Sequence, residues 1–297
     1  MAALDVPDPA PGDAAVLDLV PLTGVIGAEV SGVDLRVIDD AALAALRRAV
    51  CEHGVVVLPG QDLTPEAQAG FTRRLGPDAP VNFVEPMAGH PGVIRVVKEA
   101  ADGDAFNFGG AWHSDFSFEP APPSFTILHA VDVPPYGGDT VWSSMYAAWD
   151  TCAPAMQERL RGITALHTAR DAYSPKMQAI HDGLSSMRIL CDESADHVQA
   201  HPLVTTHPET GRTVLSFNSA YVRDLVGVPP DEVESLLVWL HQHTTNIRFT
   251  VRHRWRNGDV AIWDNRCTQH LALNDYAGFR RELRRTTVAG QVPVAAG

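Results

Sequence analysis

Residues 112–133 read WHSDFSFEPAPPSFTILHAVDV, and this stretch decides the predicted fold. Its second part, from Pro123 to Val133, is an apolar run with the length and composition of a buried β-strand. Its first part places His113 and Asp115 two residues apart, and alternation along an extended backbone would point both side chains to the same side. The stretch therefore predicts a histidine and a carboxylate at the entrance to a β-sheet core, where they could bind a metal.

A second stretch, far downstream, supplies a second imidazole. Residues 262–266 read IWDNR and lead to His270. Two histidines and one carboxylate on one face of a metal are the protein ligands of non-haem Fe(II) oxygenases, and they leave three coordination positions open. Arg281 follows eleven residues later. A buried guanidinium at that position could bind the distal carboxylate of a chelating keto acid through two parallel hydrogen bonds.

The basic run RRELRR at residues 280–285 continues the same pattern. On a strand, Arg281 and Arg285 share one face with Leu283, which favours the protein interior for both arginines. Arg280 and Arg284 then lie on the opposite face, where surface ion pairs are expected. The alternative interpretation is ordinary surface charge along the whole run.

These residues resemble the TauD/TfdA family, the taurine dioxygenase type of Fe(II)/2-oxoglutarate-dependent dioxygenases. The resemblance covers most of the chain and rests on these motifs: Trp112-His113-Ser114-Asp115, Gly137-Gly138-Asp139-Thr140, Trp263-Asp264-Asn265-Arg266 with His270, and Arg280-Arg281 with Arg285. It implies that His113, Asp115 and His270 are the catalytic iron ligands. It also implies a double-stranded β-helix core that holds iron between two sheets.

The resemblance further implies the co-substrates and the reaction. Thr140 and Arg281 are expected to contact 2-oxoglutarate, and Arg285 to meet the anionic head of the substrate or to support the co-substrate. The implied reaction couples oxidative decarboxylation of 2-oxoglutarate by Fe(II) and O2 to oxidation of an unactivated C–H bond, with hydroxylation as the default outcome. Asp115 argues against halogenation, because related halogenases lack this carboxylate.

Departures from the taurine-binding version bear on the substrate. Gly109 stands where that version has an asparagine, and the best ungapped matches to its histidine and tyrosine are Asn82 and Glu85. Taurine is therefore not expected, and the substrate is predicted to be a small anion or zwitterion. A carboxylate at Glu85 would suit an ammonium group, with Arg285 at the anionic end. Glu85 at the solvent surface is the alternative.

Composition indicates an ordinary globular enzyme. The 297 residues are 45% hydrophobic and 20% charged, with a formal net charge of −13. Dispersed basic residues make nucleic acid an unexpected partner, and no apolar run reaches the roughly 18 residues that a membrane span needs. Four cysteines without C-x-x-C spacing fit a reduced compartment, so we expect a cytoplasmic protein with a small-molecule substrate.

The organisation predicted from the sequence is a disordered leader over residues 1–18 and a single dioxygenase domain over residues 19–297. The domain is mainly β with flanking helices and has a jelly-roll core. Residues 168–199 lack clear periodicity, so a mobile lid and a tolerated surface insertion are both open interpretations. Strands are expected near residues 19–22, 55–58, 123–133, 139–143, 213–217, 248–255, 260–263 and 283–289. Helices are expected after residues 39 and 64, over residues 145–160 with Pro154 as an interruption, and over residues 229–243.

Two alternatives stay open at this point. One is a jelly-roll protein that binds a metal or a small acid without turnover, and the other is a zinc hydrolase. The sequence contains no H-E-x-x-H motif, Walker A loop, dinucleotide-binding G-x-G-x-x-G or G-x-S-x-G elbow. A homodimer or homotetramer is expected because proteins of the family often form them, while the sequence itself does not indicate an oligomeric state.

Overall fold

The computed structural model describes residues 17–102, 107–183 and 187–297. Its strands are β1 (Asp18–Pro21), β2 (Ala28–Ser31), β3 (Val55–Leu58), β4 (Ile94–Lys98), β5 (Phe125–Asp132), β6 (Thr140–Ser144), β7 (Thr164–Thr168), β8 (Val198–Pro202), β9 (Val204–Thr206), β10 (Thr213–Leu215), β11 (Val222–Val226), β12 (Thr250–His253), β13 (Val260–Asp264), β14 (Thr268–Ala272) and β15 (Arg281–Thr287). Its helices are α1 (Asp40–His53), α2 (Pro65–Leu75), α3 (Met145–Asp150), α4 (Pro154–Leu160), α5 (Arg170–Tyr173), α6 (Gln178–His181) and α7 (Pro230–Thr244). The predicted class, mainly β with flanking helices, is confirmed.

Two facing sheets form the centre of the protein. The larger sheet has seven strands in the order β1-β2-β3-β13-β5-β15-β4, and the smaller has the order β12-β6-β14. A cluster of buried side chains between them draws Val57, Leu128 and Leu283 from the larger sheet and Trp142 and Val251 from the smaller one. This is the double-stranded β-helix that the sequence predicts, and its inner faces carry the candidate site.

Helices α1 and α2 cover the outer face of the larger sheet. Leu46 and Val50 of α1 and Phe71 of α2 pack with Ile127 and Ile262 of the sheet. The sheet is therefore buried on both faces, which explains why its central strands read as continuous apolar runs rather than as alternating ones.

Local sequence signals fix the ends of these two helices. The side chain of Asp39 accepts a hydrogen bond from the backbone N–H of Ala42, and Thr64 caps α2 in the same way ahead of Pro65. Such N-caps satisfy backbone donors that the first helical turn leaves free. The starts of both helices lie where the sequence predicts them.

The predicted helix over residues 145–160 is divided into α3 and α4. The chain leaves helical geometry after Asp150, and Pro154 then occupies the first turn of α4. Proline is tolerated there because its missing N–H would have no intrahelical partner. The predicted interruption is thus confirmed, with Pro154 as the start of the second helix.

The predicted leader lies outside the described residues up to residue 16, and Asp18 already belongs to β1. The last residue of the predicted leader, Asp18, is therefore part of a strand. Within the described ranges, none of the helices combines the length and the apolar character that a membrane span requires.

The segment between β7 and β8 corresponds to the expected lid or insertion. Its described part contains α5 and α6, and Tyr173 and Ile189 pack with Phe83 and Phe118 in a separate buried cluster. The rings of Phe83 and Tyr173 stack with centroids 4.9 Å apart. This segment is thus anchored by aromatic contacts beside the candidate site.

Candidate metal centre and active site

His113, Asp115 and His270 come together in the structure. The backbones of His113 and His270 form an isolated antiparallel bridge with reciprocal N–H···O distances of 3.0 and 2.7 Å. One ligand atom from each of the three side chains lies within 4.8 Å of the others, and all three residues are buried. Two imidazoles and a carboxylate at this separation are a suitable donor set for Fe(II).

The ring of His113 is oriented for metal binding. Its Nδ1 donates to the carbonyl oxygen of Ala111 at 2.7 Å, which leaves the lone pair of Nε2 free for a cation. The Nε2 atom lies 3.8 Å from Oδ1 of Asp115. A hydrogen bond from the ring nitrogen that does not bind the metal is the usual way in which a protein fixes the tautomer of a histidine ligand.

The electrostatics of the three side chains favour their metal-binding protonation states. Burial lowers the pKa of His113, against the attraction of Asp115. Burial, and then the neighbouring His113, lower the pKa of His270 well below its ordinary value. For Asp115 burial would raise the pKa, but the charge of Arg285 brings it below the ordinary value. The site thus holds two neutral imidazoles and an ionised carboxylate, which are the forms that coordinate metal.

Asp115 has two polar neighbours in addition to the histidines. The guanidinium of Arg285 lies 3.1 Å from its Oδ1, and the hydroxyl of Thr126 donates to its Oδ2 at 2.7 Å. Both partners are at most 5% exposed. Arg285 therefore reaches the centre itself, and its Nε and Nη2 have no acceptor among the described residues.

Arg281 is buried on the same face of β15, 5% exposed. In the described part of the chain no group accepts a hydrogen bond from its Nε or Nη2. Burial lowers the pKa of Arg281 to about 10, partly opposed by Tyr276 and Asp139. A buried guanidinium with two free donors fits a carboxylate ligand, because such a group costs folding energy unless an anion pairs with it.

The Gly137-Gly138 turn explains how this arginine is accommodated. Both glycines have positive φ, 73° and 68°. A Cβ on Gly138 would lie 3.0 Å from the Cδ and Nε of Arg281, so only glycine lets the turn cross the arginine this closely. Thr140 follows at the start of β6, buried, and its hydroxyl accepts a hydrogen bond from Trp255 at 3.0 Å.

The predicted division of the basic run is confirmed except at Arg284. That side chain is only partly exposed, and instead of a surface ion pair it donates a hydrogen bond to the carbonyl oxygen of Leu63 at 2.6 Å. Arg281 and Arg285 are buried with Leu283 on the inner face of β15. Arg280 forms ion pairs with Glu99, Asp132 and Glu282.

A cavity of about 260 Å³ opens in front of the centre. Its lining includes His113, Asp115 and Arg285, and also the aromatic residues Phe108, Phe116, Tyr173 and Tyr221. The guanidinium of Arg285 lies over the rings of Phe108 and Phe116, 5.5 and 5.2 Å from their centroids. The cavity therefore places the guanidinium of Arg285 beside a group of aromatic side chains, while the other arginine of its lining, Arg223, is paired with Asp171.

The structure does not bring all predicted substrate residues to this cavity. Gly109 lines it, with φ of 77°, and a Cβ there would lie 3.4 Å from Cε1 of His113. Glu85 is half exposed and lies 3.7 Å from Arg188, and it does not line the cavity. Asn82 donates to the carboxylate of Glu119 at 2.8 Å and is also absent from the lining. Loop geometry, which no spacing rule predicts, separates Gly109 from the other two.

A second cluster also has ligand atoms within 4.8 Å of one another, close enough for a metal ion: Cys51, His207 and Asp264. Its donor atoms are already engaged. His207 Nε2 donates to Asp264 at 3.0 Å, and its Nδ1 accepts from the backbone of Glu209 and Thr210. Arg266 pairs with the same carboxylate at 2.6 Å and places a positive charge beside the cluster. The cluster is a buried hydrogen-bond network that ties the β13–β14 turn to the rest of the fold.

Three further residues belong to the site without having been predicted from the sequence: Thr126, Asn265 and Tyr221. Asn265 lies inside a quoted motif, and a polar residue within the apolar run of β5 is the signal that could have identified Thr126. Tyr221 follows β10 by several residues, and its position in the cavity has no local sequence signal. Its proximity to Asp115 depends on how β11 packs against β7.

Comparisons with known proteins agree with this geometry. A family model described as "Taurine catabolism dioxygenase TauD, TfdA family" matches residues 18–287. The chain is 35% identical over 285 residues to an alpha-ketoglutarate-dependent sulfate ester dioxygenase of Pseudomonas putida, which covers 94% of this chain and 91% of the relative. It is 32% identical over 289 residues to an alpha-ketoglutarate-dependent 2,4-dichlorophenoxyacetate dioxygenase of Cupriavidus pinatubonensis, covering 90% and 96% of the two chains. The solved structure of a taurine dioxygenase from Burkholderia xenovorans has a TM-score of 0.78 and 35% identity, over 94% of this chain and 93% of that one.

Proposed function

Because the chain belongs to the TauD/TfdA family, and is therefore an Fe(II)/2-oxoglutarate-dependent dioxygenase, we propose that His113, Asp115 and His270 are its iron ligands. The observation that carries this proposal is the convergence of three buried donor atoms within 4.8 Å of one another. Bound iron supplies, with 2-oxoglutarate and O2, the oxidation of a C–H bond. Family membership therefore favours the dioxygenase over the two alternatives that the sequence left open, the binding-only protein and the zinc hydrolase.

Arg281 is the proposed partner of the distal carboxylate of 2-oxoglutarate. Support comes from its burial and from the two guanidinium nitrogens without an acceptor among the described residues. Thr140 is the proposed second contact to the co-substrate, on the strand that pairs with the strand of His270. A planar guanidinium binds a carboxylate through two parallel hydrogen bonds, which orients the co-substrate as well as holding it.

Arg285 is the proposed partner of the substrate anion. Its Nη1 contacts Asp115, while its Nε and Nη2 remain available within the described structure. The aromatic walls of the cavity favour an apolar body attached to that anion. Asp171, a carboxylate in the lining, is paired with Arg223 at 2.6 Å, so it is already neutralised by a side chain of the protein.

We therefore place organosulfate esters first as the substrate class, ahead of taurine. A sulfate ester combines a fixed anion with an alkyl or aryl body, whereas taurine carries an ammonium group and almost no apolar surface. Hydroxylation of the carbon that bears the sulfate oxygen would give an unstable product, which releases sulfate and leaves an aldehyde. One atom of O2 would enter this hydroxyl group and the other would enter the new carboxylate of succinate, while the carboxylate next to the keto group of 2-oxoglutarate leaves as CO2.

The first test is an anaerobic titration of Fe(II) and 2-oxoglutarate into the apoprotein, followed by the weak visible charge-transfer band of the chelate. A band that Asp115→Ala and Arg281→Ala both weaken is the expected result. Absence of the band in folded wild-type protein would contradict the assigned residues.

The second test concerns the substrate. Hexyl sulfate should stimulate succinate formation and release sulfate, and taurine should do neither. Arg285→Gln should lower kcat/KM for hexyl sulfate about 10- to 100-fold, the usual effect of losing a hydrogen bond to a charged group. Arg280→Gln is the matched control, since Arg280 immediately precedes β15 and pairs with the partly exposed carboxylate of Asp132. Equal turnover of taurine and hexyl sulfate would contradict the substrate assignment.

Three further expectations stay proposals. We propose a cytoplasmic enzyme, since its co-substrate is an intracellular metabolite, and a homodimer or homotetramer, as in the family. We also retain residues 168–199 as a lid, supported by Tyr173, which lies both in this segment and in the cavity wall. Light scattering and hydrogen exchange with and without 2-oxoglutarate would test assembly and lid closure.

A further inference from the structure

A chain of buried hydrogen bonds connects Asp115 to β5 and to the β13–β14 turn. The hydroxyl of Thr126 lies 2.7 Å from Oδ2 of Asp115, and the side-chain nitrogen of Asn265 lies 2.8 Å from the same hydroxyl. The amide oxygen of Asn265 is 3.2 Å from the backbone nitrogen of Asp115 and 3.0 Å from Nε1 of Trp263. Thr126 and Trp263 are at most 1% exposed, and Asn265 is 7% exposed.

The direction of every bond in this chain follows from its chemistry. The backbone N–H of Asp115 and the indole N–H of Trp263 can only donate, so the atom of Asn265 that faces both must be its oxygen. The other end of the amide is then the NH2 group, and it donates to Thr126. The single hydrogen of the Thr126 hydroxyl is therefore left for Asp115, whose ionised carboxylate can only accept.

This arrangement distinguishes the two oxygens of Asp115. Oδ2 is held by Thr126, on the side of β5. Oδ1 lies 3.8 Å from Nε2 of His113 and 3.1 Å from Arg285, on the side of the cavity. The carboxylate thus presents one oxygen to the histidines and is restrained by the other.

We propose that Thr126, oriented by Asn265, is a positioning residue that makes Asp115 bind the metal through Oδ1 alone. This role rests on the proposed iron site. A carboxylate that bound through both oxygens would occupy a fourth coordination position. Only two positions would then remain for a chelating co-substrate and O2 together, whereas three are needed. A hydroxyl held in a single orientation prevents this rotation without adding charge to a buried site.

The test compares conservative changes at Thr126 in the full chain. Thr126→Val keeps the branched shape and removes the donor, Thr126→Ser restores the donor, and Thr126→Ala serves if the valine variant does not fold. Thr286→Val is a matched control, because Thr286 is also buried on a neighbouring strand and loses a hydroxyl contact, but to Thr72 rather than to Asp115.

The measurement is titration of the apoprotein with Co(II) alone, followed by its visible absorption, with the melting temperature of each apoprotein recorded separately. We expect Thr126→Val to weaken Co(II) binding about 10- to 100-fold and to change the shape of the visible bands, as is usual for loss of an outer-sphere partner. Thr126→Ser and the Thr286→Val control should resemble the wild type.

The outcomes distinguish failure of the positioning role of Thr126 from failure of the proposed metal site. Wild-type affinity and an unchanged spectrum in Thr126→Val would overturn the positioning role while leaving the metal site intact. Equal loss of affinity in Thr286→Val would also overturn it, because the effect would then follow general core damage. Failure of the wild type itself to bind Co(II) would overturn both this role and the proposed metal site.

Discussion

Arg281 is buried, and its Nε and Nη2 have no acceptor within the described structure, so its charge should cost the apoprotein stability. Arg281→Met measures that cost. Burial lowers the pKa of Arg281 to about 10 from an ordinary value of 12.5. Each tenfold change in that proton equilibrium corresponds to about 1.4 kcal/mol, so the charged form is disfavoured in the fold by about 3 kcal/mol. Because Arg281 is almost fully buried, solvent screening reduces this value little. Methionine retains most of the packing and carries no charge, so the apoprotein should gain up to about 3 kcal/mol.

The assay is urea unfolding of the apoprotein, of the protein with Mn(II) alone, and of the protein with Mn(II) and 2-oxoglutarate. Relative to Mn(II) alone, 2-oxoglutarate at 100 times its wild-type dissociation constant should stabilise the wild type by about 2.7 kcal/mol and Arg281→Met much less. Arg48→Met is the control, since Arg48 is exposed on α1, and it should change stability by less than about 0.5 kcal/mol. An Arg281→Met apoprotein less stable than the wild type would refute the reasoning, and so would full stabilisation of this variant by 2-oxoglutarate.

Two other predictions concern the scaffold. Burial lowers the pKa of His167 to about 3, so the folded protein keeps this ring neutral in mild acid. Above the unfolded-state pKa near 6.5 the ring is neutral in both states and no stability is lost. As the pH falls from there toward 3, only the unfolded chain takes up the proton, so the free energy of unfolding decreases. His167→Asn keeps an acceptor for Ser117 and cannot be protonated, so between pH 6.5 and 5 it should lose about 1.6 kcal/mol less stability than the wild type. Urea unfolding at the two pH values measures this, and equal losses in the two proteins would contradict it. Gly137→Ala would place a Cβ 2.4 Å from the carbonyl oxygen of Asp275 at a φ of 73° and should destabilise the protein by about 2 kcal/mol or more. Gly60→Ala, with a φ of 67° and nothing within 4 Å of the new Cβ, isolates the backbone cost, and an equal loss in both would show that the close contact is unimportant.

Much of the fold is predictable from local sequence because its signals are short-range. The caps at Asp39 and Thr64 and the apolar run of β5 each depend on neighbours within a few residues, and the structure places these elements as expected. The inward orientation of Arg281 and Arg285 follows from alternation along one strand. The division of the helix at residues 145–160 was also expected, because proline has a strict position in helices.

The unpredicted features involve residues that only folding brings together. Glu85 was expected near the cavity from its place in a loose match, but the loop turns its side chain toward Arg188 and solvent. Thr126 lies eleven residues from Asp115 and Asn265 lies 150 residues from it, and no local pattern connects them. The pairing of Arg285 with Asp115 also spans two elements.

The sequence by itself determined the types of chemical group and the periodicity of each element: two histidines and a carboxylate, arginines of one parity, and apolar runs that must be buried. These properties belong to individual residues and near neighbours, so a single chain read in order reveals them. Only the tertiary structure decided which oxygen of Asp115 faces His113 and which groups line the cavity. Those facts depend on distances of a few ångströms between distant strands, which are set by the packing of the two sheets and the path of the loops.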